Sequence, residues 1–234
     1  MGLTELKKEL KEVADKEQAV NLQRFFKTGK GEYGEGDIFY GIKVPVQRTI
    51  AKKHRDISLP ELQKLLNSPV HEERLVSLFI LVDQYTKGDD KTKENIYKFY
   101  LKNTKKINNW DLVDLSAPKI VGAHLLNNDK EILFKLAKSS NLWEKRISIL
   151  STMFFIKNLQ FETTFSLAEI LLNDKHDLIH KAVGWMLREV GNKNINEEEK
   201  FLKKHYKKMP RTMLRYAIEK FPEVKRKAYL KGKI

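Results

Sequence analysis

The chain has 234 residues, long enough for one large domain with a real core, and 41% hydrophobic with 10% aromatic content reads as globular despite 32% charged residues. Cysteine is absent, which excludes disulfides, thiolate metal sites and a cysteine nucleophile. No apolar run approaches the ~18–20 residues of a membrane span, and the net charge of +14 favours a polyanion, most simply a nucleic-acid backbone, over a membrane surface.

Helical periodicity begins with LTELKKELKEVA (3–14), which lacks the apolar stretch of a signal peptide, and continues in AVNLQRFFK (19–27). GKGEYGEGD (29–37) then interrupts it, with Gly29, Gly31 and Gly34 at G-x-G-x-x-G spacing. That fingerprint binds dinucleotides only between a strand and a helix. Here it follows a helix, so it reads as a mobile loop near nucleic acid. ELQKLLN (61–67), EERLVSLFILVDQY (72–85), KENIYKFYLKN (93–103), EILFKLAK (131–138) and HKAVGWMLREV (180–190) are again helical, and no segment alternates as a strand would. TKGDD, NNDK, SSN, NDKHD and GNKN punctuate them. The pattern predicts about a dozen helices in a soluble, intracellular all-α protein, as one domain over 1–234.

The helices repeat. VHEERLVSLFIL from Val70, LWEKRISILSTM from Leu142 and LIHKAVGWMLRE from Leu178 start 72 and 36 residues apart. KINNWDLVDLSA from Lys106 fills the gap, and PRTMLRYAIEKF from Pro210 is a fainter copy. A period near 36–40 built of helix pairs predicts an α-solenoid of HEAT-like repeats, in which each pair buries its apolar face only against its neighbours.

In NNWDLVDLSAP (108–118), Trp110 and Asp114 stand four apart and so share a helix face. Arg146 lies 36 residues after Trp110, and Trp185 lies 71 after Asp114. Matching positions in a solenoid line one surface, commonly the concave one, so the repeat predicts a basic groove carrying these four residues. Arginine suits a phosphate, and the indole faces suit sugars or bases. A carboxylate facing phosphates needs a reason. Cleavage of an N-glycosidic bond passes through an oxocarbenium-like sugar, which a fixed anion stabilises and whose attacking water it can orient. The alternative is a plain ion pair of Asp114 with Arg146 or a nearby Lys, with Trp110 in the core.

WDLVD (110–114), LWEKRISIL (142–150), KAVGWMLRE (181–189) and FYGIKVPVQR (39–48) resemble, in order and spacing, segments of the AlkD family of alkylpurine DNA glycosylases. The resemblance covers about Phe25 to Phe221. It implies that Asp114 is the catalytic carboxylate and that Trp110 and Trp185 contact the lesion deoxyribose and adjoining backbone. It also implies that Arg146 secures a phosphate, that Phe25 stands where the family often has a groove tyrosine, and that the damaged base stays stacked in the duplex. The expected function is excision of cationic N3- and N7-alkylated purines from double-stranded DNA in base excision repair. The family also contains relatives that bind branched or distorted DNA without catalysis, which is the alternative.

From Lys200 to Ile234 there are 13 Lys and Arg against Glu219 and Glu223. Lys207, Lys208, Arg211 and Arg215 are the candidate backbone contacts there. No metal or organic cofactor, membrane or obligatory protein partner is expected, and a monomer in the cytoplasm, nucleoid-associated when on DNA, suffices. His176 and His180, four apart, read as capping or surface residues because no third ligand is nearby. Asp111 suits the first turn of its helix. Pro118 cannot donate to the carbonyl of Asp114, which predicts a kink there. Glu189, four after Trp185, reads as structural.

Overall fold

The computed structural model describes residues 2–234. Among these the chain is helical, with a single isolated bridge between Ile38 and Val70 in place of any strand. It divides into two compact units, Met1–Ser116 and Ala117–Ile234.

The first unit contains α1 (Leu3–Glu12), α2 (Lys16–Phe25), α3 (Val44–Lys53), α4 (Leu59–Leu66), α5 (His71–Lys87) and α6 (Asp90–Lys102). After a 3₁₀ turn at Thr104–Lys106 comes α7 (Trp110–Ala117), whose last residue belongs to the second unit. Helix α5 packs against α3, α4 and α6, while α1 covers α3. Leu75, Val76, Leu78 and Ile80 of α5 are fully or almost fully buried, as are Leu62 and Leu65 of α4. Burying each such side chain contributes roughly 1.5–3 kcal/mol.

The segment between α2 and α3 is pinned to the start of α5. Ile38 N–H donates to Pro69 O at 3.0 Å, and His71 N–H donates to Ile38 O at 2.8 Å. The buried Glu72 carboxylate accepts from the N–H groups of Tyr40 (3.0 Å), Gly41 (2.8 Å) and Ile42 (3.1 Å). Gly41 adopts φ +86°, and a Cβ there would collide with the carbonyl of Asp15. The FYGIK stretch is thus built for backbone capture by α5.

The second unit opens with a π-helical turn at Pro118–Gly122 and a short α8 (Ala123–Leu125). It continues through α9 (Glu131–Ala137), α10 (Leu142–Lys157), α11 (Glu162–Leu171), α12 (Asp177–Lys193) and α13 (Ile195–His205). Then come α14 (Arg211–Ala217), a 3₁₀ turn at Ile218–Lys220 and α15 (Glu223–Leu230). The successive helices α10, α12 and α14 pack one on the next, and α9, α11 and α13 join as their partners. A Cβ on Gly184 would meet the carbonyl of Met213 and the side chain of Tyr216, so glycine allows α12 to approach α14 closely.

The repeat reading holds at the level of helix starts. The copies open α5, α7, α10, α12 and α14 at residues 71, 110, 142, 177 and 211. The second copy starts late because the 3₁₀ turn and Ile107–Asn109 intervene before α7. Counted from its helix start, Arg146 therefore corresponds to Asp114, one turn away from the sequence alignment with Trp110. The polar punctuation supplies caps. Asn141 accepts from Trp143 N–H (2.8 Å), the His176 ring from Leu178 N–H (3.1 Å) and Asn194 from Asn196 N–H (3.2 Å). At Pro118, where a kink is expected, the helix passes into the π turn. Proline has no N–H for the i−4 bond, and the ladder widens there.

Candidate functional site

Trp110 is the first residue of α7 and is half-buried, so it is not a core tryptophan. Its indole stacks on the buried Phe26 ring, with centroids 5.2 Å apart and planes at 14°. It also meets Phe25 edge-on at 5.8 Å, and Phe25 is 63% exposed. Loop 29–37 folds back under α2: Gly34 N–H donates to Lys27 O, and a Cβ on Gly34 would strike the carbonyl of Phe26. Gly29 and Gly31 donate to the carboxylates of Glu32 and Glu35, at 2.9 and 2.8 Å. These bonds fold the loop into turns, and it ends by delivering Asp37.

Asp37 is 6% exposed and accepts from Arg74 Nη2 (2.6 Å), His71 Nδ1 (3.0 Å) and Asn109 Nδ2 (3.2 Å). The second ring nitrogen of His71 donates to Asp111 at 2.8 Å. Arg74 also donates to Ser68 O at 2.9 Å, and Asn109 accepts from the N–H of Trp110 at 2.8 Å. Two carboxylates and two cationic side chains are thus buried together and charge-balanced, which is the condition for burying ions at tolerable cost. Burial pulls the imidazole down, but the Asp111 and Asp37 carboxylates outweigh it and hold His71 at about 9. Burial would raise Asp37, yet His71 and Arg74 keep it below the usual carboxylate range.

Asp114 is half-buried, one turn after Trp110 on α7. The fully buried Tyr100 phenol lies in its field. Burial and the Asp114 charge push that phenol above its ordinary range against the opposing hydrogen bond to Ser116, at 2.9 Å.

In the second unit, Arg146 of α10 is 5% exposed and donates Nη1 to Leu178 O at 2.7 Å, tying α10 to the first turn of α12. Trp185 is half-buried, and its indole N–H donates to Glu189 at 2.9 Å, the structural role expected of Glu189. Lys207, Lys208, Arg211 and Arg215 are all exposed; Arg211 also donates to Leu230 O at 2.5 Å. His176 caps α12 and His180 donates to Asp174 O at 2.5 Å, so both work locally.

Sequence reasoning picks out Trp110, Phe25 and Asp114 but misses Asp37, His71, Arg74 and Asn109. It assigns Asp111 only a helix-end role, and the helix does begin there. The buried contact with His71 is additional.

The chain matches the family model described as "DNA alkylation repair enzyme" over residues 6–221. It belongs to the DNA alkylation repair enzyme family. No curated protein matches it. Among solved structures it is similar to a "Predicted DNA alkylation repair enzyme from Enterococcus faecalis", with a TM-score of 0.69 and 15% identity. That match covers 90% of this chain and 97% of the other. At this identity the likeness establishes a shared helical fold. Family membership gives the protein a role in DNA repair, and the surfaces carrying Phe25, Trp110 and the C-terminal cations belong to a family member. Among the described residues no helix is long and apolar enough to cross a membrane.

Proposed function

We propose that the protein is a monofunctional DNA N-glycosylase of the AlkD kind, excising cationic N3- and N7-alkylpurines from duplex DNA. One observation carries the reading: α7 of a family member presents a braced, half-exposed indole beside an exposed phenylalanine, with a carboxylate one turn further on. The indole edge and face offer an apolar seat for deoxyribose, and the carboxylate offers a fixed negative charge beside it.

In this reading the C1′–N bond breaks with its electron pair passing to the alkylated base, which is cationic and leaves neutral. No general acid is then required. The sugar becomes oxocarbenium-like, and Asp114 stabilises that charge and orients the incoming water. Water oxygen bonds to C1′, and its proton passes to the carboxylate and on to solvent. Trp110 and Trp185 contact the sugar and adjoining backbone, with the base left in the stack. Arg146, Lys207, Lys208, Arg211 and Arg215 bind backbone phosphates, and Phe25 packs on the duplex beside Trp110. One domain over 1–234 acts as a monomer on double-stranded DNA, with no lysine Schiff base and no strand nicking.

The test is release of 7-methylguanine from a duplex carrying one such lesion, under single-turnover conditions with protein in excess. Asp114→Asn is expected to keep DNA binding and lose roughly 10²–10³-fold in excision rate. A variant with the wild-type rate would remove Asp114 from the chemistry. No release by either protein, with DNA still bound, would favour a non-catalytic binder of branched or distorted DNA.

A further inference from the structure

His71 takes no part in the chemistry above, yet both its ring nitrogens meet carboxylates from separate parts of the chain. Asp37 comes from the loop before α3 and Asp111 from the first turn of α7. A neutral imidazole could donate to only one of them, so the arrangement is built for the imidazolium. Its ring face lies 4.6 Å from Phe39 at 19°, and 4.9 Å from Phe26 at 39°. Phe26 in turn stacks on Trp110.

Two routes therefore run from His71 to the same indole. One passes through the rings, from His71 to Phe26 to Trp110. The other passes through the backbone, because Asp111 adjoins Trp110 and Asn109, bound to Asp37, accepts from the Trp110 N–H. Helix first turns tend to fray. This one is held from a buried ion cluster. A position needed only for packing would be filled at less cost by an apolar side chain, since a buried ionic group adds little net stability.

We infer that His71, as the imidazolium, is a positioning residue for the Trp110 indole and so sets the excision rate without touching DNA. The kinetic part of this inference rests on the glycosylase reading; the positioning itself does not. The charged groups facing His71 are Asp37 from the loop, Asp111 from α7 and Arg74 one turn along α5. The carboxylates outweigh burial and Arg74 and hold the ring at about 9. The positioned state is thus complete at neutral pH and is lost as pH rises through that value.

The experiment is ¹⁹F NMR of protein carrying 5-fluorotryptophan, which has three indoles to resolve, the Trp110 resonance being identified by its loss in Trp110→Phe. In wild type that resonance is expected to shift with a midpoint near pH 9. In His71→Gln, and in the near-isosteric Asp111→Asn, it should already be displaced at neutral pH. Both variants should excise about ten- to a hundredfold more slowly in single turnover, with DNA affinity unchanged within about twofold. Leu133→Ala, a core truncation in α9 that destabilises without touching this cluster, should leave both resonance and rate as in wild type. A Trp110 resonance indifferent to pH and to both variants would overturn the inference, as would an unchanged excision rate in a folded variant. If wild-type protein releases no base, that failure belongs to the glycosylase reading, and the resonance alone decides. If neither variant folds, the wild-type titration decides.

Discussion

The first unit surrounds its buried carboxylates with donors: Asp37 receives three side-chain hydrogen bonds, Glu72 three backbone N–H groups, and Asp111 the ring of His71. The second unit buries Glu198 of α13 at 1% exposure with one carboxyl oxygen unpartnered. Burial, with Glu199 adding to it against Arg188, pushes Glu198 up to about 9, so it is carried neutral. Arg188 and Glu199, the charges that act on it, are engaged with Glu219 and Lys225. The difference matches what each unit presents. Where the proposed chemistry needs an indole and a carboxylate fixed on one short helix, charges are paired behind it. Where α13 packs on α12, away from the residues proposed to meet DNA, a buried carboxyl is tolerated protonated, in space that Gly191 leaves open.

The largest effect should come from breaking the paired cluster. Asp37→Ala removes the common acceptor of Arg74, His71 and Asn109 and leaves cationic groups buried without it. Removing one partner of a buried pair costs about 3–5 kcal/mol. Urea unfolding should show a lower midpoint of that size at an unchanged slope. A loss under about 1 kcal/mol would mean that water relieves the cluster and that it cannot brace Trp110.

Glu198 should behave in the opposite sense, with a somewhat smaller effect. Its carboxyl sits near 4.5 when unfolded and near 9 when folded, so the native state holds the proton longer. Stability attributable to this group is complete below pH 4.5 and is lost as pH rises towards 9, with a slope of up to about 1.4 kcal/mol per pH unit. Glu198→Gln removes that slope. The variant should match wild type near pH 4.5 and exceed it at pH 7 by on the order of 2–3 kcal/mol. Parallel pH–stability curves for the two proteins would show that Glu198 ionises in the folded state as it does in the unfolded one.

The sequence makes the repeat visible because apolar spacing and polar breaks are local signals, and the structure puts α5, α7, α10, α12 and α14 where the copies begin. Trp110 is legible because it stands four residues before Asp114 in a helical stretch, whereas Phe25 is marked only by the family resemblance. The cluster behind them is not legible. Asp37, His71 and Asp111 are separated by 34 and 40 residues, and each looks like a solvated loop or helix-end charge. Only the pinning of the glycine loop to α5 buries them together. Arg146 shows a second thing that residue type does not reveal: it is 5% exposed, and its guanidinium also holds the Leu178 carbonyl. The slip of one turn at α7 arises from a 3₁₀ turn that periodicity does not register.

The same contrast separates the two tryptophans, and here the smallest effect is the sharpest test. Trp110 is gripped on its face by Phe26 and at its backbone by Asn109, whereas Trp185 has a hydrogen bond from its indole nitrogen to Glu189 one turn along. Glu189 also accepts from Asn192 at 3.3 Å. Glu189→Ala should therefore lower stability by only ~0.5–1 kcal/mol, the usual net value of one such bond. Glu189→Gln keeps a carbonyl acceptor in reach of the indole and should stay within about 0.5 kcal/mol of wild type. Equal losses in both would mean that the negative charge matters more than the hydrogen bond. A loss as large as that of Asp37→Ala would erase the distinction between a tryptophan braced by buried charge and one steered by a single acceptor.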